Sequence, residues 1–309
     1  MLEVVNLSKT YKQLEAVKGV NLYLEKGESV GLLGPNGAGK STAISMISTL
    51  IKPTEGNVLY YGDSMIKNPK KLRRAIGLVP QDLALFPQLT AEDNLMFFGK
   101  MYGITTKELK QRVQELLVDI GLEERKKDKV KTFSGGMKRR LNIAIALIHQ
   151  PDILIMDEPT VGIDPQSRHF ILEMVRRLQR EKQMTILYTS HYMEEVEQVC
   201  DRVYIMDRGS MIASGTKPEL KGILRSEETI IIQVDRMSRH LEETLSKHPS
   251  VSSVVIEDSS YKVVTVQSDL FNEIIAMAAE AKVKLLSIQV KPPTLEDVFL
   301  HLTGRKLRD

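Results

Sequence analysis

Short apolar runs alternate with longer amphipathic stretches over the first two thirds of the chain, and the two patterns predict different elements. The short runs are rich in β-branched residues and predict buried strands, while the longer stretches follow the helical period. Strands are predicted at Ser29–Leu33, Ala75–Val79, Ile153–Met156 and Thr185–Thr189. A helix is predicted from Lys40, and residues 82–150 are predicted to be mostly helical. This alternation is typical of an α/β domain.

Local signals mark where some of these elements begin and turn. Thr90 followed by Asp93 resembles a capping box and predicts a helix start. Asp207-Arg208-Gly209-Ser210 lies between the apolar runs Val203–Met206 and Met211–Ala213, which predicts a hairpin.

The pattern changes near Arg225 and then predicts a strand, a helix, two strands, a helix and a strand. Their ranges are Thr229–Val234, Arg239–Lys247, Val251–Glu257, Tyr261–Gln267, Leu270–Ala281 and Val283–Val290. This order is the ferredoxin-like pattern. Pro292-Pro293 then breaks the chain, and Thr294 is expected to cap a last short helix through Leu300. We therefore expect a boundary at roughly 222–228, with domains over 1–224 and 225–309, the helical subdomain occupying about 82–150.

Composition indicates a soluble globular protein, since 42% of the 309 residues are apolar and 27% are charged. Cys200 is the single cysteine, which excludes an internal disulfide and fits a reducing compartment. The start of the chain lacks the pattern of a signal peptide. Its longest apolar run, Ile143–Ile148, is far shorter than the ~20 residues of a membrane-spanning helix. We expect a cytoplasmic protein whose membrane role, if it has one, depends on a partner.

The net charge of +3 is too small to indicate nucleic-acid binding, but the charge is unevenly placed. The segment from Gly121 to Arg140 contains eight Lys/Arg and three acidic residues, which gives it a net charge of +5. A solvated helix face is the favoured interpretation of this segment, and a phosphate-facing patch is the alternative.

The strongest chemical motif is Gly34-Pro35-Asn36-Gly37-Ala38-Gly39-Lys40-Ser41, which matches G-x-x-x-x-G-K-[ST] and is followed by Thr42. Its glycines let backbone N–H groups wrap phosphate oxygens, and the helix beginning at Lys40 directs its positive end toward the same anion. Lys40 is expected to reach the β- and γ-phosphates, and the Ser41 hydroxyl to ligate Mg²⁺. The motif lies between a predicted strand and a predicted helix, as such a loop requires. We therefore expect ATP binding.

Two carboxylates end the apolar strand Ile153–Met156. Asp157 is expected to hold Mg²⁺, directly or through water, and Glu158 to act as general base on the attacking water. An acidic pair after a strand is common, and the phosphate loop upstream is what makes hydrolysis the preferred interpretation.

Phe133-Ser134-Gly135-Gly136-Met137 resembles the LSGGQ signature of the nucleotide-binding subunits of ABC transporters. Ser134, Gly135 and Gly136 offer a hydroxyl and bare N–H groups at a helix start, which suits a second anion site. The resemblance implies that this motif completes the ATP site of a second copy of the chain. The first and fifth positions, Phe133 and Met137, depart from the family's leucine and glutamine.

Further family elements follow in order along residues 1 to about 220. The resemblance implies that Gln81 touches Mg²⁺ and communicates with the membrane partner, and that Gly162-Ile163-Asp164-Pro165 forms the loop at the dimer interface. It also implies that His191 contacts the γ-phosphate and that Tyr11 stacks on adenine. Lys138, Arg139 and Arg140 on the signature helix are interpreted as lying near the neighbour's nucleotide or the subunit contact.

The tail from Pro292 to Gly304 is similar to the ends of ATP-binding subunits of bacterial drug, antibiotic and sodium exporters, nearest the linear-polyene and anthracycline resistance type. The resemblance implies an ATPase on the cytoplasmic face of the membrane that drives a separate permease, with ATP and Mg²⁺ as cofactors and no nucleic acid as partner. An importer or a sodium exporter ATPase is the alternative, and a soluble ABC protein of translation or repair is disfavoured. The role of the C-terminal domain stays open between regulation and stabilisation.

Overall fold

The chain divides into two units in the computed structural model, which describes residues 1–224, 228–257, 260–265, 270–291 and 294–303. One unit spans Met1–Thr216 and the second begins at Lys217. This division precedes the predicted boundary at 222–228 because a short helix and a 3₁₀ turn, with Leu220 and Leu224 buried, belong to the second unit. Residues 225–227 of the predicted boundary lie outside the described residues.

The elements of the two units run in chain order. The strands of the first unit are β1 (Leu2–Tyr11), β2 (Leu14–Leu24), β3 (Ser29–Leu33), β4 (Glu55–Tyr60), β5 (Asp63–Ser64), β6 (Ile76–Val79), β7 (Ile153–Asp157), β8 (Thr185–Ser190), β9 (Arg202–Asp207) and β10 (Ser210–Thr216). Its helices are α1 (Lys40–Ile47), α2 (Pro69–Ala75), α3 (Ala91–Met101), α4 (Thr106–Asp119), α5 (Gly135–Leu147), α6 (Pro165–Lys182) and α7 (Met193–Val199), with 3₁₀ turns at Glu123–Arg125 and Val130–Thr132. The second unit contains α8 (Lys217–Lys221), the 3₁₀ turn Gly222–Leu224, β11 (Glu228–Val234), α9 (Arg239–Ser246), β12 (Val251–Glu257), β13 (Ser260–Thr265), α10 (Phe271–Glu280), β14 (Leu285–Lys291) and α11 (Leu295–Thr303).

A six-stranded sheet in the order β10-β9-β3-β8-β7-β6 forms the centre of the first unit. Strands β9, β3, β8, β7 and β6 are parallel, and β10 pairs with β9 as the predicted hairpin. Every residue of β3, β7 and β8 is buried, as expected for apolar strands covered on both faces. Because the carboxyl ends of parallel strands meet at one sheet edge, the segments after β3, β7 and β8 are brought together there.

A second sheet, in the order β2-β1-β4-β5, was not predicted from the sequence. Its strands are antiparallel, and bulges interrupt the β1–β2 register three times. Each bulge breaks the two-residue alternation by which a half-buried strand is recognised. Its buried residues share one core with the central sheet and α1, including Leu2, Leu32, Ile44 and Ile155.

The predicted helical region contains α3, α4 and α5, and Thr90 caps α3 by accepting a hydrogen bond from the Asp93 backbone N–H at 3.0 Å. Ala75 ends α2 and the strand begins at Ile76, so the predicted strand start was one residue early. Over the described ranges, no helix combines the length and apolar character needed to cross a membrane. The single cysteine, Cys200, is buried.

The second unit has the predicted ferredoxin-like topology. Its sheet order is β12-β13-β11-β14, all antiparallel, and α9 and α10 contribute Leu241, Leu245, Ile274 and Ala278 to its core. Thr294 caps α11 through the Asp297 N–H at 3.2 Å, and this helix runs beyond the predicted Leu300 to Thr303. The break at 292–293, the predicted strand end at 266–267 and Gly304 lie outside the described residues.

Candidate functional site

The phosphate loop lies between β3 and α1 and is shaped by glycines that other residues would disturb. Gly39 precedes α1 with φ +103°, and a Cβ there would lie 2.5 Å from the Ala16 carbonyl oxygen. A Cβ at Gly34 would lie 2.2 Å from the Met206 carbonyl oxygen. The first turn of α1 carries no acidic residue, so the positive end of the helix is left for an external anion.

Lys40 is buried at the base of the loop, where oxygen atoms surround its ammonium group. Its Nζ donates to the Gly34 carbonyl at 2.8 Å and the Pro35 carbonyl at 3.2 Å. The same Nζ lies 3.0 Å from Glu158 Oε1. The phosphate loop and the acidic end of β7, 118 positions apart, therefore meet at one charged pair.

Asp157 and Glu158 face different partners at the end of β7. Asp157 Oδ1 accepts from the Thr189 hydroxyl at 2.8 Å and the Ser41 hydroxyl at 3.3 Å. Glu158 adopts a left-handed conformation with φ +46°, and its N–H donates to Thr189 Oγ1 at 2.9 Å. His191 Nδ1 lies 3.3 Å from Glu158 Oε2. Such a backbone conformation is uncommon outside glycine and is found at functional sites, so it supports a special role for this carboxylate.

A cleft of about 650 Å³ opens in front of these groups. It is lined by the predicted residues Tyr11, Asn36, Gly37, Ala38, Gly39, Lys40, Ser41, Thr42, Gln81 and Glu158. Tyr11 lies at its rim with 45% of its surface exposed, as a ring that receives a flat base requires. Asp157 and His191 lie next to this cleft, because Asp157 contacts Ser41 and His191 contacts Glu158.

Sequence reasoning missed several residues at or next to this cleft, among them Lys18, Arg208 and Thr189. Lys18 and Arg208 line it and supply two further cations. The hairpin turn is tied to the loop because the Gly209 N–H donates to the Ala38 carbonyl at 2.9 Å, and the Lys18 N–H donates to the Gly209 carbonyl at 2.8 Å. Thr189 donates to the Asp157 carboxylate and accepts from the Glu158 backbone N–H, but in the sequence it is recognised only as part of a buried strand. The position of Arg208 in a turn signal was the only hint available.

The signature segment lies outside the lining of this cleft. Ser134 caps α5 by accepting from the Met137 N–H at 3.2 Å, and Ser134 and Gly135 are exposed. The first turn of α5 carries no acidic residue. Gly136 instead packs inward, where a Cβ would lie 1.9 Å from Ser167 Oγ. Phe133 is buried at the position where the resemblance expected leucine.

The interpretation of the basic residues on α5 needs correction for two of them. Arg139 is 5% exposed and donates to the Pro80 and Gln81 carbonyls, each at 2.8 Å. Burial lowers the pKa of its guanidinium. Arg140 donates to the Ile120 carbonyl at 2.8 Å and lies over the Phe170 ring. Both side chains therefore brace their own subunit, because carbonyl groups of neighbouring loops satisfy them there.

Comparison with known proteins places this geometry in a family. Residues 17–161 match the model of the ABC transporter family, and residues 215–303 match that of the C-terminal domain of ATP-binding proteins of the DrrA1-3 type. The linearmycin resistance ATP-binding protein LnrL of Bacillus subtilis (strain 168) is 50% identical over 312 residues, covering 100% of both chains. The chain belongs to the ABC transporter family. It is an ATP-binding subunit and an ATPase of that family.

Two further similarities support this membership. The Nod factor export ATP-binding protein I of Rhizobium meliloti (strain 1021) is 38% identical over 308 residues, covering 100% of this chain and 89% of the relative. The ATP-binding cassette MJ0796, solved as a dimer in a post-hydrolysis state with ADP and Pi, superposes with a TM-score of 0.64. It is 30% identical and covers 70% of this ABC subunit and 98% of its own chain. The α/β P-loop fold predicted from the sequence is thereby confirmed.

Proposed function

We propose that this ABC ATPase powers export of an antibiotic-like molecule through a separate membrane permease. The observation that carries the ATPase chemistry is the cluster of Lys40, Asp157 and Glu158 at one cleft. Export is supported by full-length similarity to a linearmycin resistance protein and to a Nod factor export protein. An importer or sodium exporter shares the ATPase chemistry, and the similarity to a linearmycin resistance protein favours the resistance class.

The oxygen atoms of Ser41, Asp157 and Gln81 suit a magnesium ion. The Ser41 hydroxyl and an Asp157 carboxylate oxygen lie 3.3 Å apart, and Gln81 lines the same cleft. Oxygen ligands from few protein groups, completed by phosphates and water, are what Mg²⁺ prefers. Within the described residues, no group of three or more His, Cys, Asp or Glu side chains could hold a metal alone. Bound Mg²⁺ would supply charge neutralisation on the β- and γ-phosphates.

The side chains around the cleft divide the work of hydrolysis. Lys40 and the amides from Gly34 to Thr42 bind and orient the phosphates, while Tyr11 receives the adenine. Glu158 accepts a proton from the attacking water, and Lys40, 3.0 Å from Glu158 Oε1, fixes where that carboxylate lies. His191, whose Nδ1 lies 3.3 Å from Glu158 Oε2, contacts the γ-phosphate in this proposal. Most of the rate gain comes from this positioning and charge stabilisation.

The exposed start of α5 supports an ATP site that is shared with a second copy of the chain. Ser134 and Gly135 present a hydroxyl and amide groups at the positive end of a helix, yet they lie outside the cleft of their own subunit. In the proposed dimer they bind the γ-phosphate held by the partner subunit. The dimeric state of MJ0796 supports this arrangement.

Apolar side chains after Gln81 offer a docking surface for the permease. Leu83, Phe86, Leu89 and Phe97 each expose 37–42% of their surface, and the rings of Phe86 and Phe97 lie 4.9 Å apart. An exposed apolar cluster of this kind is typical of an interaction site. With a permease bound there, the subunit would lie on the cytoplasmic face of the membrane, and nucleic acid has no part in the proposal.

Glu158→Gln tests the assignment of the general base. The neutral amide keeps the shape of the side chain but accepts a proton poorly, so we expect ATP binding to persist, hydrolysis to fall about 10³-fold and an ATP-bound dimer to accumulate. Steady-state phosphate release and size-exclusion chromatography measure these outcomes. Hydrolysis at the wild-type rate would show that another group is the base.

Lys40→Ala removes the cation that the phosphate loop surrounds and leaves the buried Glu158 carboxylate without it. We expect ATP affinity itself to fall, by about 100-fold, because the ground-state phosphates lose a charge-assisted contact. Equilibrium binding of a fluorescent ATP analogue measures this loss, and Lys107→Ala, an exposed lysine on α4, is the matched control.

Export is tested in a bacterial host that lacks its own exporter of this type. Co-expression of the subunit with its permease should raise the concentration of a linear polyene that stops growth, and Glu158→Gln should abolish the gain. An unchanged polyene sensitivity together with intact ATP hydrolysis would contradict the export assignment and leave the ATPase assignment standing.

A further inference from the structure

A buried carboxylate that the proposed chemistry does not use lies directly behind the catalytic groups. Glu195 on α7 is 2% exposed, and a single one of its oxygens, Oε2, accepts three hydrogen bonds. The donors are the hydroxyls of Thr160 at 2.7 Å, Tyr188 at 2.9 Å and Ser190 at 3.1 Å. Burial and the neighbouring Glu195 charge raise the pKa of Tyr188, so its phenol keeps the proton that it donates.

The three hydroxyls belong to segments that carry the proposed catalytic groups. Thr160 follows Glu158 by two positions, and Ser190 directly precedes His191. Ser190 Oγ also accepts from the Tyr192 N–H at 2.8 Å, so the backbone on both sides of His191 is tied to this carboxylate. One oxygen atom of Glu195 therefore connects the end of β7 with the end of β8.

The charge of Glu195 has a single cationic neighbour among the described residues, and that neighbour lies on a third segment. Arg168 Nε, at the start of α6, is 3.4 Å from Glu195 Oε1. The Arg168 guanidinium also lies over the Tyr192 ring, 4.7 Å from its centroid, and that ring is 4.1 Å from the His191 ring. Burying a charge carries a large desolvation cost, so a buried ion pair is by itself weak evidence for a role in stability. The arrangement therefore favours a role in placing groups over a role in stability.

We propose that Glu195 is a positioning residue. Through its contacts with Thr160 and Ser190, it sets the placement of Glu158 relative to His191. Through Arg168, it makes the placement of both residues depend on the position of α6. This inference rests on the catalytic roles proposed above for Glu158 and His191. It predicts a defect in turnover with little change in ATP binding, since Glu195 lies behind the cleft and touches none of the phosphate loop.

Glu195→Gln tests the proposal, with Glu194→Gln as the matched control, because Glu194 is the exposed neighbour on the same helix. The amide keeps an acceptor for the hydroxyls but removes the charge that pairs with Arg168. We expect kcat to fall about tenfold or more while KM for ATP stays within about twofold, because small misplacement of reacting groups costs rate. Glu194→Gln should match the wild type.

Hydrogen exchange of the nucleotide-free protein gives a readout independent of turnover. Glu195→Gln should speed amide exchange in peptides covering 160–164 and 190–193, whereas Glu194→Gln should leave them unchanged. Wild-type kcat in Glu195→Gln, or a fall in thermal stability with kcat per folded molecule unchanged, would overturn the positioning role.

Thr160→Val keeps the proposal testable if Glu195 variants fold poorly, since it deletes one hydroxyl and preserves shape. It should lower kcat about threefold, and combining it with Glu195→Gln should add less than the product of the two effects. Additive effects, or no effect of Thr160→Val, would contradict the proposal. Wild-type hydrolysis together with an inactive Glu158→Gln variant would support the catalytic role of Glu158 independently of Glu195, so failure of the positioning role can be told apart from failure of the proposed general base.

Discussion

The phosphate loop and the signature segment present the same backbone device in two different surroundings. Each is a glycine-rich helix start with no acidic residue in its first turn. Buried charges surround the first, where Lys40 and Glu158 are 4% and 5% exposed, whereas Ser134 and Gly135 of the second are exposed to solvent. In the proposed mechanism, one helix start therefore carries the reacting groups, and the other offers only an anion-binding surface.

Neighbouring glycines in the signature segment serve different purposes. The nearest heavy atom to a Cβ at Gly135 would be the Gly162 carbonyl oxygen, 3.9 Å away, so its lack of a side chain is not needed for packing. Gly136 is needed, because a Cβ there would lie 1.9 Å from Ser167 Oγ. A substitution at Gly135 can therefore test the approach of a ligand without disturbing the packing of the fold.

The largest effect in this comparison is expected from Gly135→Asp. The added carboxylate meets open space and lies favourably at a helix start, so stability should hold. It should repel the γ-phosphate of the partner subunit, lowering kcat about 100-fold and preventing dimer formation in the Glu158→Gln background, while ATP affinity of the single chain is unchanged. Phosphate release, size exclusion and fluorescent ATP binding measure the three quantities.

Gly135→Ala is the control for that experiment, because it adds volume without charge at the same position. We expect it to retain most of the activity. Loss of monomer ATP affinity in Gly135→Asp would show that the signature segment contributes to the cleft of its own subunit, which would remove the proposed division between the two helix starts.

A smaller effect is expected from Tyr11→Ala on the phosphate-loop side. Tyr11 is half-exposed at the cleft rim, and one stacked base contributes about 1–3 kcal/mol, so ATP affinity should fall about tenfold. Tyr11→Phe keeps the ring and should bind like the wild type. Equal losses in both variants would assign the contact to the hydroxyl, and no loss in either would place adenine elsewhere.

The parts of the fold that carry a regular apolar period were predicted, and the sheet whose strands are interrupted by bulges was not. Strands β3, β7 and β8 and the ferredoxin-like order follow from short apolar runs. The antiparallel β2-β1-β4-β5 sheet was missed, because its bulges break the alternation. A bulge adds one residue to a strand, so the apolar side chains of one face no longer recur at every second position in the sequence.

The candidate site shows the same limit at the level of single side chains. Arg139 was interpreted from the sequence as lying near the neighbour's nucleotide or the subunit contact, and only the Pro80 and Gln81 carbonyls, 59 and 58 positions away, explain its burial. Glu195 belongs to no sequence motif, and its surroundings are seen only in the structure, where hydroxyls from strand β8 and from Thr160 donate to it. Motif spacing finds groups that touch phosphate, whereas residues that position those groups depend on tertiary contacts.

The smallest expected effect is that of Met137→Gln, which restores the glutamine that the family signature has at its fifth position. Met137 holds the cap of α5 through its backbone N–H, which donates to Ser134 Oγ at 3.2 Å, so that contact does not depend on the side chain. A substitution that leaves the capped helix start intact should change kcat and stability by no more than about twofold. Phosphate release at saturating ATP measures this. A larger gain in kcat would show that the glutamine side chain itself contributes at the partner's site, and that the signature half of the dimer does more than present Ser134 and Gly135.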